Sequence, residues 1–378
     1  MPTKNIYLFF INQFAKLIYK MSKRVVIAMS GGVDSSVAAH FLVKQGYDVI
    51  GLFMRLGSDT STPSSDVKVA TCCSAEDARD AASVAASLNI PFYVINFKEE
   101  FDSIIEYFCA EYLQGKTPNP CIICNQKLKF GKLLRFADYL GADYVATGHY
   151  ARVEKHNDRY ILRKGMDTKK DQSYVLFPLN QTQLSRALFP LGGMTKDEVR
   201  NKATELNMKT KDKPESQEIC FVTGNSYSDL ITERVGSQIG TGSLKDTSGK
   251  ILGTHDGIHN FTIGQRKGLH IALGKPRYVV DIDPGQNTVT IGTADELLKD
   301  TFIVNDVNWI TIERLERELH ASVKIRYKND ETPAIIYPLE NNRVRVKFEH
   351  PQRAIAPGQA AVFYDGDLIM GGGWIERN

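Results

Sequence analysis

Three groups of residues in this 378-residue chain have types and spacings suited to chemistry. The first is Ala28-Met29-Ser30-Gly31-Gly32-Val33-Asp34-Ser35-Ser36. The apolar run Val25–Met29 reads as a buried strand, and Val37-Ala38-Ala39-His40-Phe41-Leu42 reads as a helix, so the glycines fill a strand-to-helix turn. Backbone N–H groups at a helix N-terminus lack helical partners and carry partial positive charge. Paired glycines let an anion approach the backbone, and the serines add hydroxyl donors, a chemistry suited to a polyphosphate. No lysine follows Gly32, which excludes a Walker A loop, and G-x-G-x-x-G is absent. Asp34 would repel a triphosphate unless it ligates a metal, and Mg2+ is usually held by one or two carboxylates plus phosphates. The competing structural reading is a Ser/Gly turn that merely caps a helix.

The second group is Thr117-Pro118-Asn119-Pro120-Cys121-Ile122-Ile123-Cys124-Asn125. Each proline disfavours helix at the residue before it, so the segment reads as an extended turn with a helix beginning near Cys121. Cys121 and Cys124 then share a face at a helix N-terminus, where thiolate is favoured. The pair suits reactive thiols, half of a zinc or iron–sulfur site, or a structural role; no second C-x-x-C completes a zinc set. The third group is Cys220 in Ser216-Gln217-Glu218-Ile219-Cys220-Phe221, followed by an apolar, strand-like run. By itself it reads as a buried structural cysteine, and beside the C-x-x-C it would be a third reactive thiol.

The elements that must position these groups alternate. Strands are predicted at Val25–Met29, Tyr47–Met54, Phe92–Asn96 and Tyr144–Thr147. Helices are predicted at 33–45, 74–88, 101–113 and 124–140. This alternation implies a parallel sheet covered by helices, with ligands beyond the carboxyl ends of the strands. Ser30-Gly31-Gly32, Met54 and Gly148-His149-Tyr150 all lie at such ends. The segment 57–71 is polar and reads as a mobile loop. After the charged stretch Lys211-Asp212-Lys213-Pro214 the pattern changes. Residues 236–274 are rich in Gly, Ser and Thr. Alternating runs at Val323–Tyr327, Val344–Phe348 and Ala361–Phe363 imply a small antiparallel barrel or sandwich.

The bulk composition bounds the class. The chain has 42% hydrophobic and 24% charged residues, ordinary values for a soluble globular protein of two or three domains. Lys+Arg 47 against Asp+Glu 44 gives +3, so any RNA contact must come from local patches. Six cysteines (Cys72, Cys73, Cys109, Cys121, Cys124 and Cys220) are too few for a disulfide scaffold and imply a reducing, cytoplasmic setting. Cys109 reads as helix core, and Cys72 and Cys73 as loop passengers. The apolar stretch within 1–20 is too short to span a membrane and has no cleavage site, so it reads as an extension before Met21.

Seven motifs in order resemble the tRNA-specific 2-thiouridylase family of the ATP pyrophosphatase superfamily. They are Ser30–Ser35, Thr117–Pro120, Cys124-Asn125, Gly148-His149-Tyr150, Lys170-Asp171-Gln172-Ser173-Tyr174, Ser216–Phe221 and Gly264-Gln265-Arg266-Lys267-Gly268. The resemblance implies an α/β fold. It would have an N-terminal doubly wound parallel sheet of the adenine-nucleotide alpha-hydrolase type, a small central β-rich domain and a C-terminal antiparallel β-barrel. The expected divisions are an extension at 1–20, a catalytic domain at 21–213, a central tRNA-binding domain at 214–296 and the barrel at 297–378.

It also implies a reaction. ATP with Mg2+ adenylates a wobble uridine of tRNA at oxygen 2. Cys220 carries a persulfide sulfur from a donor protein to carbon 2, and Cys124 attacks the persulfide and ends in a disulfide with Cys220. Ala28, Met29, Ser30, Gly31, Gly32, Val33, Asp34, Ser35, Met54 and Gly148 are expected to hold ATP, with Asp34 on the metal. Asn119, Pro120 and Cys121 are expected around the target base. His149, Lys170, Asp171, Gln172, Arg326, Tyr327 and Gln359 are expected along the tRNA. Many family members carry Asp where this chain has Cys121. Cys121 is therefore expected either as a thiolate base or, less favoured, as the third ligand with Cys124 and Cys220 of an iron–sulfur cluster. A small-molecule ATP pyrophosphatase would not need Cys124 and Cys220. A non-catalytic RNA-binding module would need neither Asp34 nor the thiols.

Overall fold

Strand β1 (Arg24–Ala28) carries Val25, Val26 and Ile27 with no exposed surface, as a strand buried on both faces must. The computed structural model describes residues 22–57, 74–214, 219–222, 226–236, 239–269, 271 and 274–377. The expectations for 1–20, most of 57–71, and Cys72 and Cys73 lie outside the described residues.

β1 is flanked in parallel by β2 (Asp48–Arg55) and β4 (Tyr144–Ala146), and β3 (Phe92–Asn96) pairs beyond β2. Two strands introduced between β4 and the next sheet member, β5 (Ala151–His156) and β6 (Arg159–Lys164), form an antiparallel hairpin. The short β7 (Ala187–Leu188) completes the first sheet, whose order is β3-β2-β1-β4-β7 among the described residues. The chain winds outward from β1 to β3 and then returns to the other side of β1. The reversal makes the β1–β4 crevice a topological switch point, where such sheets bind ligands.

Helices cover both faces. Val25 and Ile27 face a core with Val37 and Leu42 of α1 (Val33–Lys44), Val84 of α2 (Ala75–Ser87) and Val199 of α7 (Lys196–Glu205). Val26 and Leu52 face the other core, with Phe101, Ile104 and Phe108 of α3 (Lys98–Leu113) and Ile122 of α4 (Pro120–Ile123). The predicted helix over 124–140 is in fact two pieces: a π-helix at Cys124–Lys132, then α5 (Leu133–Tyr139). The wider turn is held by Gln183 of α6 (Gln181–Ser185), whose Nε2 donates to the carbonyl oxygens of Gln126 (3.2 Å) and Phe130 (2.8 Å). A π turn leaves acceptors displaced from their helical partners, and a distant side chain satisfies two of them here.

Beyond α8 (Tyr227–Val235), a four-stranded sheet of order β10-β11-β8-β9 forms the central unit, from β8 (Gly242–Asp246), β9 (Ile251–His255), β10 (Tyr278–Asp283) and β11 (Thr288–Gly292). The last unit comprises β12 (Leu298–Trp309), β13 (Leu319–Lys324), β14 (Thr332–Leu339), β15 (Arg343–Arg353), β16 (Ala360–Asp365) and β17 (Leu368–Ile375). Pairing of β12 with both β15 and β17 closes it into an antiparallel barrel. The β5–β6 hairpin extends the barrel sheet through β17, so the first domain and the barrel share one hydrogen-bonded sheet. Strand β13 ends at Lys324, which places Arg326 and Tyr327 in the following turn rather than within a strand over 323–327. Likewise, Val222 N–H donates to the Ile219 carbonyl, so Cys220 and Phe221 form a turn, and the run after Cys220 does not begin as the expected strand.

Candidate nucleotide and thiol site

The Ser30–Ser35 loop occupies the mouth of the switch point. Gly32 caps α1 with no side-chain hydrogen bond, and the first backbone bond of the helix comes from Ser36 N–H to the Gly32 carbonyl. The N–H groups of the first turn are thus left to an external acceptor. Ser35 accepts from Ser30 N–H at 3.1 Å and fixes the loop, while Ser30 itself is exposed. Two close approaches explain the glycines. Gly31 has φ +73°, and a Cβ there would collide with the Asp77 carbonyl at the start of α2. At Gly148 a Cβ would stand 2.9 Å from Ser35 N, so only glycine lets the β4 loop lie against the start of α1.

Asp34 is the one carboxylate of the loop, and its surroundings were not legible from the motif. Lys196 Nζ donates to both its oxygens at 2.7 and 2.8 Å. The Tyr150 hydroxyl donates to Oδ1 at 2.7 Å. Lys196 is the first residue of α7, where a cation opposes the helix dipole at a cost of about 0.3–1 kcal/mol. Lys196 is buried, so losing its partner would cost more than that, and the contact with Asp34 decides the placement. That misplaced cation, one residue after the capping Thr195, is the sequence signal that could have identified it.

Gln172 holds Tyr150 in place: its Oε1 accepts from Tyr150 N–H at 3.0 Å, and its own N–H donates to the Tyr150 carbonyl at 2.9 Å. Asp171 accepts from the N–H groups of Gly165 and Ser173 and from the Ser173 hydroxyl, ordering the same loop. His149 is buried, 2.6 Å from Thr147 Oγ1 and edge-on to Phe189. Burial, and secondarily the charge of Lys129, hold its imidazole well below the usual pKa. As it stands, His149 faces protein and not solvent.

The thiols lie on the other face of the sheet. Asn119 caps α4, accepting from Cys121 N–H at 3.2 Å, and Pro120 occupies the first helical position. Cys121 is exposed, whereas Cys124 is half-buried at the junction of α4 and the π-helix. Cys220 is also half-buried, and its neighbour Phe221 packs edge-on against Phe101 and Phe108. Ala28, Met54, Cys124 and Cys220 all pack against one apolar core. Burial pushes the Cys109 thiol up, consistent with a packing role. Among the described residues no group of three or more His, Cys, Asp or Glu side chains is arranged to hold a metal ion.

The residues expected on the tRNA have internal partners. Arg326 Nη2 donates to the carbonyls of Ile263 and Ala354, both at 2.9 Å, and so bridges the central unit and the barrel. The Tyr327 hydroxyl donates to the Asp171 carbonyl at 3.2 Å, and Gln359 Nε2 donates to the Thr117 carbonyl at 2.7 Å. Lys170 N–H donates to the Asp167 carbonyl. An RNA contact by the side chains of Arg326, Tyr327 or Gln359 must be shared with, or replace, such a bond.

Fold and site define a class: an α/β nucleotide-binding enzyme whose phosphate loop lies at a parallel-sheet switch point and whose thiols share its core. Comparison with known proteins narrows it. Family models described as the tRNA methyl transferase HUP domain, the tRNA methyl transferase PRC-barrel domain and the aminomethyltransferase beta-barrel domain match residues 23–224, 228–293 and 299–375. A tRNA-specific 2-thiouridylase MnmA 1 from Thermoanaerobacter sp. (strain X514) is 52% identical over 95% of this chain and 99% of its own length. The tRNA-specific 2-thiouridylase MnmA of Geotalea uraniireducens is 52% identical over 94% and 95%. That of Acetivibrio thermocellus is 50% identical over 94% and 99%. The chain belongs to the tRNA-specific 2-thiouridylase family.

Proposed function

We propose that this protein is a tRNA 2-thiouridylase that adenylates the wobble uridine at oxygen 2 with ATP and replaces that oxygen by sulfur carried on Cys220. The observation that carries the reading is the single apolar core beneath Ala28, Met54, Cys124 and Cys220. It joins the nucleotide end of the sheet to the thiols, as a reaction that activates a base and then thiolates it requires.

ATP fits the loop because its donors converge: exposed Ser30 and the first-turn N–H groups, held together by the close backbone packing at Gly31 and Gly148. Met54 and Gly148, near the ends of β2 and β4, would flank the adenosine. Asp34, whose side chain is 32% exposed, would hold Mg2+. The ion supplies charge neutralisation for departing pyrophosphate. A uracil carbonyl oxygen is a poor leaving group, and AMP is a good one.

The cysteines divide the sulfur chemistry. A donor protein loads Cys220 as a persulfide. Cys124 attacks Sγ of Cys220, forming a disulfide and expelling hydrosulfide. Hydrosulfide bonds to carbon 2, and the carbon–oxygen bond to AMP breaks. The sulfane sulfur gains two electrons and the cysteine pair loses two, so an external dithiol resets the enzyme. Asn119 and Pro120 fix exposed Cys121 at the start of α4, where its thiolate would serve as base. The base must leave its stack to reach it.

The deciding experiment incubates anaerobically purified protein with ATP, Mg2+, a persulfide-carrying sulfur donor and unmodified tRNA, then digests the RNA for mass analysis. Wobble 2-thiouridine that depends on ATP and on Cys220 is expected. ATP cleavage with no thiolated nucleoside would refute the reading.

A further inference from the structure

The phosphate loop has no cation of its own. Its donors are neutral, Ser30, Ser35 and backbone N–H groups, and no lysine follows Gly32 in sequence. Tertiary structure supplies a cation from 162 residues away: Lys196, buried, with its ammonium on both oxygens of Asp34. It is held there against the dipole of its own helix, whose first N–H, that of Lys196, is taken by Asp167 Oδ2 at 3.0 Å. Asp34 also accepts from Tyr150, so both its oxygens are engaged. A carboxylate bound this way is a poor ligand for a hydrated dication, because metal and ammonium would compete for the same oxygens and repel each other.

We propose that Lys196 is the phosphate-binding cation of this loop, and that Asp34 holds it in reserve until nucleotide arrives. The inference rests on the ATP reading of the same loop. A triphosphate offers Lys196 an acceptor of higher charge than one carboxylate. Moving to it releases Asp34 for the metal that accompanies the nucleotide. Metal and triphosphate therefore bind together, and metal alone binds poorly. AMP, which lacks the outer phosphates, does not draw Lys196 away.

The test is equilibrium binding to the full chain, with α,β-methylene ATP as the nucleotide and Mn2+ as the metal probe, read by electron paramagnetic resonance. Wild type should bind Mn2+ weakly alone and tightly with the analogue. Lys196→Met should weaken analogue binding about 10- to 100-fold, the range for loss of one charged hydrogen-bonding partner, while leaving AMP affinity unchanged. It should also bind Mn2+ without nucleotide more tightly than wild type. Should the unpaired Asp34 prevent Lys196→Met from folding, the Asp34→Asn background removes both charges and carries the test. Asp34→Asn should bind metal-free analogue in EDTA more tightly than wild type, and Asp34→Asn with Lys196→Met should lose that gain. Analogue and Mn2+ binding unaltered by Lys196→Met would overturn the proposal, as would a double variant equal to Asp34→Asn. A wild-type protein that binds no analogue under any condition would instead refute the ATP reading itself.

Discussion

Gln359 Nε2 donates to the Thr117 carbonyl oxygen at 2.7 Å, and Thr117 N–H donates to the Pro357 carbonyl at 2.8 Å. Two bonds thus tie the turn before β16, in the barrel, to the loop that leads into Asn119, Pro120 and Cys121. Gln359→Leu should leave the Thr117 carbonyl unpaired and cost about 1–3 kcal/mol. If the bond positions the loop, the variant lowers single-turnover thiolation at saturating tRNA. If Gln359 instead serves only as an RNA contact, tRNA affinity falls and the saturated rate does not. Filter binding and single-turnover kinetics together separate the two.

Cysteine variants divide the reaction at its middle. Cys220→Ser should retain tRNA-dependent pyrophosphate release from ATP and form no 2-thiouridine. Cys124→Ser should accumulate persulfide on Cys220, visible as a mass increase of about one sulfur atom on the Cys220 peptide. Normal turnover by either variant would remove that residue from the mechanism.

Gly31 holds a left-handed conformation against the Asp77 carbonyl. Gly31→Ala adds backbone strain of about 1–3 kcal/mol and a collision with the start of α2. The melting temperature should fall, and α,β-methylene ATP should bind more weakly because the loop must move. An unchanged melting temperature would show that the loop relaxes without cost.

Acid should destabilise the fold through buried histidines. Burial holds His149 well below its ordinary value of 6.5, and lowers His255 and His259 as well. Below pH 6.5 the unfolded chain takes up protons that these folded imidazoles do not bind, so stability falls as pH drops from 6.5 toward each folded value. Each such group contributes up to about 1.4 kcal/mol per pH unit in that window. Urea unfolding at pH 5.5 and 7.5 should show the loss, and His149→Gln should flatten it. An equal slope in wild type and variant would assign the acid sensitivity elsewhere.

Much of this protein is written in local pattern. The Val25–Met29 run, the Ser30-Gly31-Gly32 turn and the alternation that follows specify a parallel sheet with a phosphate loop, because strand burial and helix termini depend on neighbouring residues. Asn119 and Pro120 announce the start of α4 for the same reason. The apolar run after Cys220 has the look of a strand, but Phe221 lies in a turn because it packs on Phe101 and Phe108, partners far away in sequence. The π-helix after Cys124 was invisible because its displaced carbonyls are satisfied by Gln183. Arg326 and Gln359 looked like surface contacts, yet their bonds cross from one unit to another. Lys196 carries no motif, and its meaning comes entirely from Asp34. Short-range sterics and hydrogen bonding determined the elements and the chemistry each could offer. Only the tertiary structure decided which charges and carbonyls meet, because those pairings join residues that the chain separates and the core brings together.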